Sequence, residues 1–338
     1  MSPATTPHTT SEGKVPEWAS TSLPTSLAGD ASPSDPAVLR TLYSGLLKTR
    51  LLEEHVLGLQ KAGTSTSIAV ATLGGEATEV GACIGLQAGD SISSSWPTLA
   101  AHVVLGAPIE HILAGDGAQK KRSKQPRRTS GNSPVRIIPQ TATLTGQFSM
   151  AAGVALAYQN LGCSNVVVAL AADALAALGS WHETARLAAQ NRSPMVFMVE
   201  NCAQSHPNGV STVHSDEDLR DRAEAYGFPG ITVDGNDIVA VWRVTQESIH
   251  RARTGAGPTL IECRTWRWHP FPNVANRNGR IPSKPSQARW QHDPLHQMEH
   301  YMKKRRLWRQ DWKDELVEAY RGELQAATAQ LFEHRSSR

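Results

Sequence analysis

GITVDGNDIVAVWRVTQESIHRARTGAGPTLIECR, residues 230–264, decides the fold. Its two apolar runs, Gly230–Val233 and Thr259–Arg264, have the length and β-branched content of strands. Between them Val239–Arg253 repeats apolar residues at helical spacing. Strand, helix and strand in this order form a crossover unit, and a crossover of this length joins parallel strands. The same alternation stands upstream: a strand at Asn165–Ala171 (NVVVALA), a helix at Trp181–Ala189, a strand at Met195–Val199 (MVFMV) and a helix at Asp216–Ala225. Strands this continuously apolar are buried on both sides. The expectation is an α/β fold, a parallel sheet covered by helices on both faces, with right-handed crossovers.

Outward from this unit, Asp35-Pro36 is a helix-start signal, and Leu39, Leu42, Leu46, Leu47, Leu51 and Leu52 follow at helical spacing. Residues 74–88 read as a second helix with small residues on one face, and 98–106 and 108–114 as further helical turns. A break at 115–136 contains the basic run KKRSKQPRR, Lys120 to Arg128. It reads either as a solvated loop or as a phosphate- or partner-docking patch. Gly146–Tyr158 is an Ala/Gly-rich buried helix, 270–288 a Pro/Asn/Arg-rich loop, and a helical segment begins at Pro294. Residues 1–35 are rich in Ser, Thr, Pro and Ala and have too little apolar surface to offset ordering entropy. They are expected to be a disordered tail, with 36–338 a single domain carrying a C-terminal helical extension.

The 338 residues are 40% apolar and 19% charged, enough to bury a sizeable core. A net charge of +3 is too small for a nucleic-acid footprint, so no nucleic-acid partner is expected. No run of about 18 apolar residues is present to span a membrane, and the N-terminus has no apolar signal core. Cys83, Cys163, Cys202 and Cys263 are far apart and form no CxxC pair. That excludes a zinc ribbon or disulfide scaffold and makes the reducing cytoplasm the expected compartment.

In a doubly wound sheet, ligands sit outside the carboxyl ends of the strands. The residues there are Asp173, the Glu200-Asn201-Cys202 run, Asp234 to Asp237, and Arg264-Thr265. Asp173 with Glu200-Asn201 reads as a metal or phosphate site, or else as a helix cap and a turn.

Within residues 218–267 the segments RAEAYG (Arg222 to Gly227), VDGND (Val233 to Asp237) and GPTLIE (Gly257 to Glu262) stand in order. LGGEATEVGACIGLQAGD (73–90) precedes them and DPLHQMEHYM (293–302) follows. Over residues 37–335 the chain resembles the α subunit of thiamine-diphosphate-dependent 2-oxoacid dehydrogenases of the pyruvate and branched-chain type. The resemblance implies the thiamine-diphosphate-binding, diphosphate-domain fold, with thiamine diphosphate and Mg2+ as cofactors. It also implies a β-like subunit that supplies the aminopyrimidine half of the site and its activating glutamate, in a heterotetramer of two α and two β chains.

Several positions depart from the family's pattern. Its GDG motif is here Ala172-Asp173-Ala174, and GDGAxNQG becomes ADALAALG, with Ala177 and Leu178 in the polar positions. Glycines there let backbone N–H groups approach a diphosphate. The metal-binding Asn position is Cys202, with Asn201 one residue earlier, and the backbone-carbonyl ligand falls at Gln204. The resemblance therefore implies Asp173, Asn201 and Gln204 as cofactor-binding residues, with Asp173 and Asn201 on the metal. A basic HRGH or YRAH segment becomes Trp96-Pro97-Thr98-Leu99, with His102 nearby. YRxxGHS becomes WRWHPFP (266–272), with Phe271 in the histidine position and His269 two residues earlier. Cys202, His206 and His269 are the candidates for other chemistry. Asp173, Cys202, His206 and His182 could converge in the old pocket, with Cys202 as nucleophile or soft-metal ligand, or simply as a buried apolar thiol. Trp266, Trp268, Trp290, Trp308 and Trp312 read as core packing or as a binding surface.

Three functions follow. The first is an α-like, pseudo-enzymatic partner of a β-like chain with an eroded metal and diphosphate site. The second is an active thiamine-diphosphate enzyme that transfers an acyl or two-carbon unit from a 2-oxo acid, its site shared with the β-like chain. The third is an intact 2-oxoacid dehydrogenase feeding a lipoyl carrier.

Overall fold

Helix α1, Pro36–Lys61, starts where the sequence signals it. Asp35 accepts from the Ala37 N–H at 2.8 Å, and Pro36 occupies the first turn, where a missing N–H costs nothing. A computed structural model describes residues 34–62, 73–95, 99–118, 135–139, 143–202, 219–268 and 290–336. The expected tail up to residue 33 and most of the basic break, 119–134, lie outside the described residues, as do Trp96 to Thr98, Gln204, His206, His269 and Phe271.

The elements after α1 are α2 (Glu76–Cys83), β1 (Ser91–Ser94), α3 (Leu99–Val104), α4 (Ile109–Ala118), β2 (Arg136–Ile137), α5 (Leu144–Asn160) and β3 (Val167–Ala172). A 3-10 turn, Asp173–Ala177, leads into α6 (Gly179–Asn191). Then come β4 (Met195–Asn201), α7 (Leu219–Tyr226), β5 (Gly230–Asp234), α8 (Ile238–Arg253), β6 (Thr259–Arg264), α9 (Pro294–Lys304) and α10 (Gln310–Ser336). The strands form one six-stranded sheet in the order β2-β1-β3-β4-β6-β5, every pair parallel. The expected parallel α/β sheet is therefore present, and the quoted stretch supplies β5, α8 and β6.

Alternation along the strands divides the core. Val167, Ala169 and Ala171 of β3, with Phe197 and Val199 of β4, pack beneath α5, α6 and α7. Val168 and Leu170, with Val196, Met198 and Ile261, face α2 and α8 on the other side. A third cluster gathers α1 against α9 and α10, where Tyr43 meets Trp308 edge-on at 5.1 Å. Trp268, Trp308 and Trp312 are thus packing residues, whereas Trp266 and Trp290 are 39% and 48% exposed.

Strands β1 and β2 have no counterpart in the sequence reading. β1 is SISS, without an apolar run, yet it lies wholly buried. Its hydroxyls find partners on α5: Ser91 Oγ lies 2.6 Å from Tyr158 Oη, and Gln147 Nε2 donates to Ser93 Oγ at 2.9 Å. Among the described residues, no helix is long and apolar enough to cross a membrane.

Candidate functional site

The connection from β1 runs to β2 on one side, and β3 lies on the other. The sheet therefore has its switch point between β1 and β3, the place where sheets of this class bind ligands at the carboxyl ends of their strands. Asp173 follows β3 immediately and is buried. Its Oδ1 accepts from the Ala174 N–H at 2.7 Å. The expected helix cap is corrected, because Ala172 is the N-cap residue of the 3-10 turn, Asp173 lies within that turn, and no side-chain cap bond forms. Ala172 has φ −78° and ψ 152°, ordinary extended backbone, and a methyl group is accommodated there without strain.

Ala172 pairs with Glu200, so Asp173 and Asn201 come next in register. Asn201 directs its amide away from β3, donating from Nδ2 to Glu262 Oε1 on β6 at 2.7 Å. Glu262 also accepts from Thr232 Oγ1 on β5 at 3.1 Å. Cys202 is buried, and none of the cysteines forms a disulfide.

Glu200 corrects the reading of Glu200-Asn201 as a turn: both residues lie within β4. One position out of phase with Asn201, Glu200 points to the α2 side and meets Arg267 in a fork, with Nε 2.6 Å from Oε1 and Nη2 on Oε2. Burial opposes the charge on Arg267, but the Glu200 carboxylate more than offsets it and holds the guanidinium pKa above its ordinary range. Burial likewise pushes the Cys263 thiol up, beyond physiological ionisation.

His182, in the first turns of α6, is hydrogen-bonded through Nδ1 to Tyr226 Oη of α7. Among the described residues, no group of three or more His, Cys, Asp and Glu side chains comes together as a metal set. Asp173, Cys202 and His182 therefore do not converge in that way, and His206 lies outside the described residues.

Sequence reasoning missed the polar framework behind this edge. Asn236 is fully buried; its Nδ2 donates to Gly74 O at 2.6 Å and Trp266 O at 3.0 Å, and its Oδ1 accepts from Trp266 N–H at 2.7 Å. Gly235 sits so close to Thr265 that a Cβ there would lie 2.3 Å from Oγ1. The signal was the VDGND turn itself, since a glycine followed by a short amide suits a close approach.

A parallel α/β sheet of this order, with a buried acid at its switch point, belongs to the doubly wound class, in which ligands sit at the carboxyl ends of the strands. The chain belongs to the dehydrogenase E1 component family, whose model matches residues 45–335. The α subunit of the pyruvate dehydrogenase E1 component of Staphylococcus aureus is 29% identical over 289 residues, covering 85% of this chain and 76% of the relative. The α subunit of acetoin:2,6-dichlorophenolindophenol oxidoreductase of Bacillus subtilis is 32% identical over 229 residues, or 67% of this chain and 69% of the relative. The resemblance to an α subunit of this family thus holds, and the family carries the expectation of thiamine diphosphate and a divalent metal.

Proposed function

We propose that this chain is the α-subunit-like component of a two-chain thiamine-diphosphate-family assembly and acts as a pseudo-enzymatic partner of a β-like subunit. The assembly is read as a heterotetramer of two α and two β chains in the cytoplasm, with residues 36–338 as one domain and neither nucleic acid nor membrane as partner. The donor set at the ends of β3 and β4 carries this reading. Magnesium takes hard oxygen ligands in a strict octahedron. The position the family gives a metal-binding Asn holds here the thiol of Cys202, a soft donor, whereas the Ala174 N–H on Asp173 Oδ1 and the Nδ2 donation of Asn201 to Glu262 take no oxygen donor out of the set. The methyls of Ala172 and Ala174 stand where a diphosphate needs bare backbone N–H groups.

The described residues do not fit a magnesium–diphosphate group, so no thiamine step is derived through them. Asp173, Asn201 and Gln204 are read as remnants of the cofactor shell, and Cys202, His206 and His269 receive no catalytic role.

Calorimetry with thiamine diphosphate and Mg2+, on this chain alone and mixed with a β-like subunit encoded beside it, tests the reading. Complex formation without metal-dependent binding at this half-site is expected. Tight metal-dependent binding in the mixture, lost in Asp173→Ala, would overturn it in favour of an active acyl- or two-carbon-transferring enzyme.

A further inference from the structure

Arg50 draws together two points of the chain that are far apart in sequence. It projects from α1 and is buried. Its guanidinium forks onto Glu76 of α2, with Nη2 2.9 Å from Oε2, and the same Nη2 lies 3.0 Å from Asp293 Oδ2. Its Cζ stands 4.1 Å from the centre of the Trp268 ring. Trp268 follows β6, and its N–H donates to Leu73 O at 2.9 Å. Asp293 precedes α9 and caps it, accepting from the His296 N–H at 3.1 Å. Burial opposes the charge on Arg50, yet Glu76 and Asp293 together hold its pKa above the ordinary range.

Glu76 alone would neutralise Arg50. A second buried carboxylate adds a desolvation cost, which is offset only if its geometry does something the first cannot. Trp268 and Asp293 belong to different elements: Trp268 follows β6, and Asp293 starts α9.

We propose that Arg50 is a two-ended positioning residue, holding Trp268 after β6 and the α9 cap Asp293 on one guanidinium so that the two residues are ordered and loosened together. The planar, five-donor fork suits this task and a lysine ammonium does not. The proposal concerns the scaffold and stands apart from the cofactor reading.

Amide hydrogen exchange on the full-length chain tests it, read at Trp268 and at His296 and Gln297 in the first turn of α9. Arg50→Gln is expected to raise exchange at both ends by about tenfold or more while Val168 and Met198 stay protected. Arg50→Lys, which keeps the charge and loses the fork, should fall between. Asp293→Asn retains a capping side chain and removes only the ion pair, and it should still raise exchange at Trp268. A response confined to one end, or a uniform rise that includes β3 and β4, would overturn the proposal. If Arg50→Gln does not fold, the other two variants decide it.

Discussion

Arg267 and Glu200 form a forked, fully buried ion pair at the end of β4, on the opposite face of the sheet from Asn201. Gly75 packs so closely on this pair that a Cβ there would stand 3.0 Å from Glu200 Oε1. The most conspicuous acid at the mouth of the sheet is therefore committed to the scaffold. Glu200→Gln and Arg267→Met should each destabilise the fold by about 3–5 kcal/mol, because each leaves one buried charge uncompensated. Removing both should cost less than the sum of the single changes, as a urea-denaturation double-mutant cycle would measure.

Glu247 on α8 predicts a pH dependence. Its side chain is 6% exposed, neither carboxylate oxygen has a hydrogen-bond donor, and Arg243 lies 3.6 Å away. Burial raises its pKa from the ordinary 4.5 to about 7, against the opposing pull of Arg243. A raised folded-state pKa means that the folded chain holds a proton which the unfolded chain releases first. The contribution to stability is full below pH 4.5, falls as pH rises through about 7, and is constant above that. Glu247→Gln should flatten this slope and gain about 1 kcal/mol at pH 8, a figure discounted for the half-solvated Arg243 nearby. Thermal melts across pH 5–8 would check it.

Gly74 has φ +87°, and a Cβ there would lie 2.3 Å from Trp268 Cδ1 and 2.8 Å from its backbone nitrogen. Gly74→Ala therefore meets left-handed strain of about 1–3 kcal/mol and a clash with a packed tryptophan. A lowered urea midpoint, with quenching of the Trp268 environment altered in fluorescence, is the expected result. Gly153→Ala, in the interior of α5 where nothing lies within 4 Å of the added Cβ, is the contrasting control and should stabilise by about 0.5–1 kcal/mol.

Ala172→Gly, Ala174→Gly and Cys202→Asn together rebuild the family's motif. On the proposed reading, the triple variant should bind thiamine diphosphate with metal more tightly than the parent chain, read by calorimetry in the complex with a β-like partner. Equal binding by both proteins would show that the departures at these positions do not matter to the cofactor.

Four strands could be read in the sequence: Val167–Ala172, Met195–Asn201 and Thr259–Arg264, which are almost wholly buried, and the half-buried Gly230–Asp234, marked by its β-branched run and the turn that follows. β1 escaped because a buried serine strand looks like a loop until Tyr158 and Gln147 of α5 are folded against it. At the site, the sequence located Asp173 and Asn201 at the ends of β3 and β4, strands that pair in parallel up to Ala172 and Glu200. It could not tell that Asn201 turns to Glu262 or that Glu200 turns to Arg267, since the partner each residue meets at the end of β4 depends on register with segments far away in sequence.

The sequence by itself determined the parallel α/β architecture, because the alternation of strand-length and helix-length apolar runs is a local signal. It also determined the family, through motifs that stand in order from Leu73 to Met302. Only the tertiary structure decided how the buried charges are partnered. Arg50 is 26 residues from Glu76 and much farther along the chain from Asp293, and Arg267 is 67 residues from Glu200. No local pattern encodes such pairs. They exist because burial makes an unpaired charge too costly, and folding brings a partner of opposite sign to each.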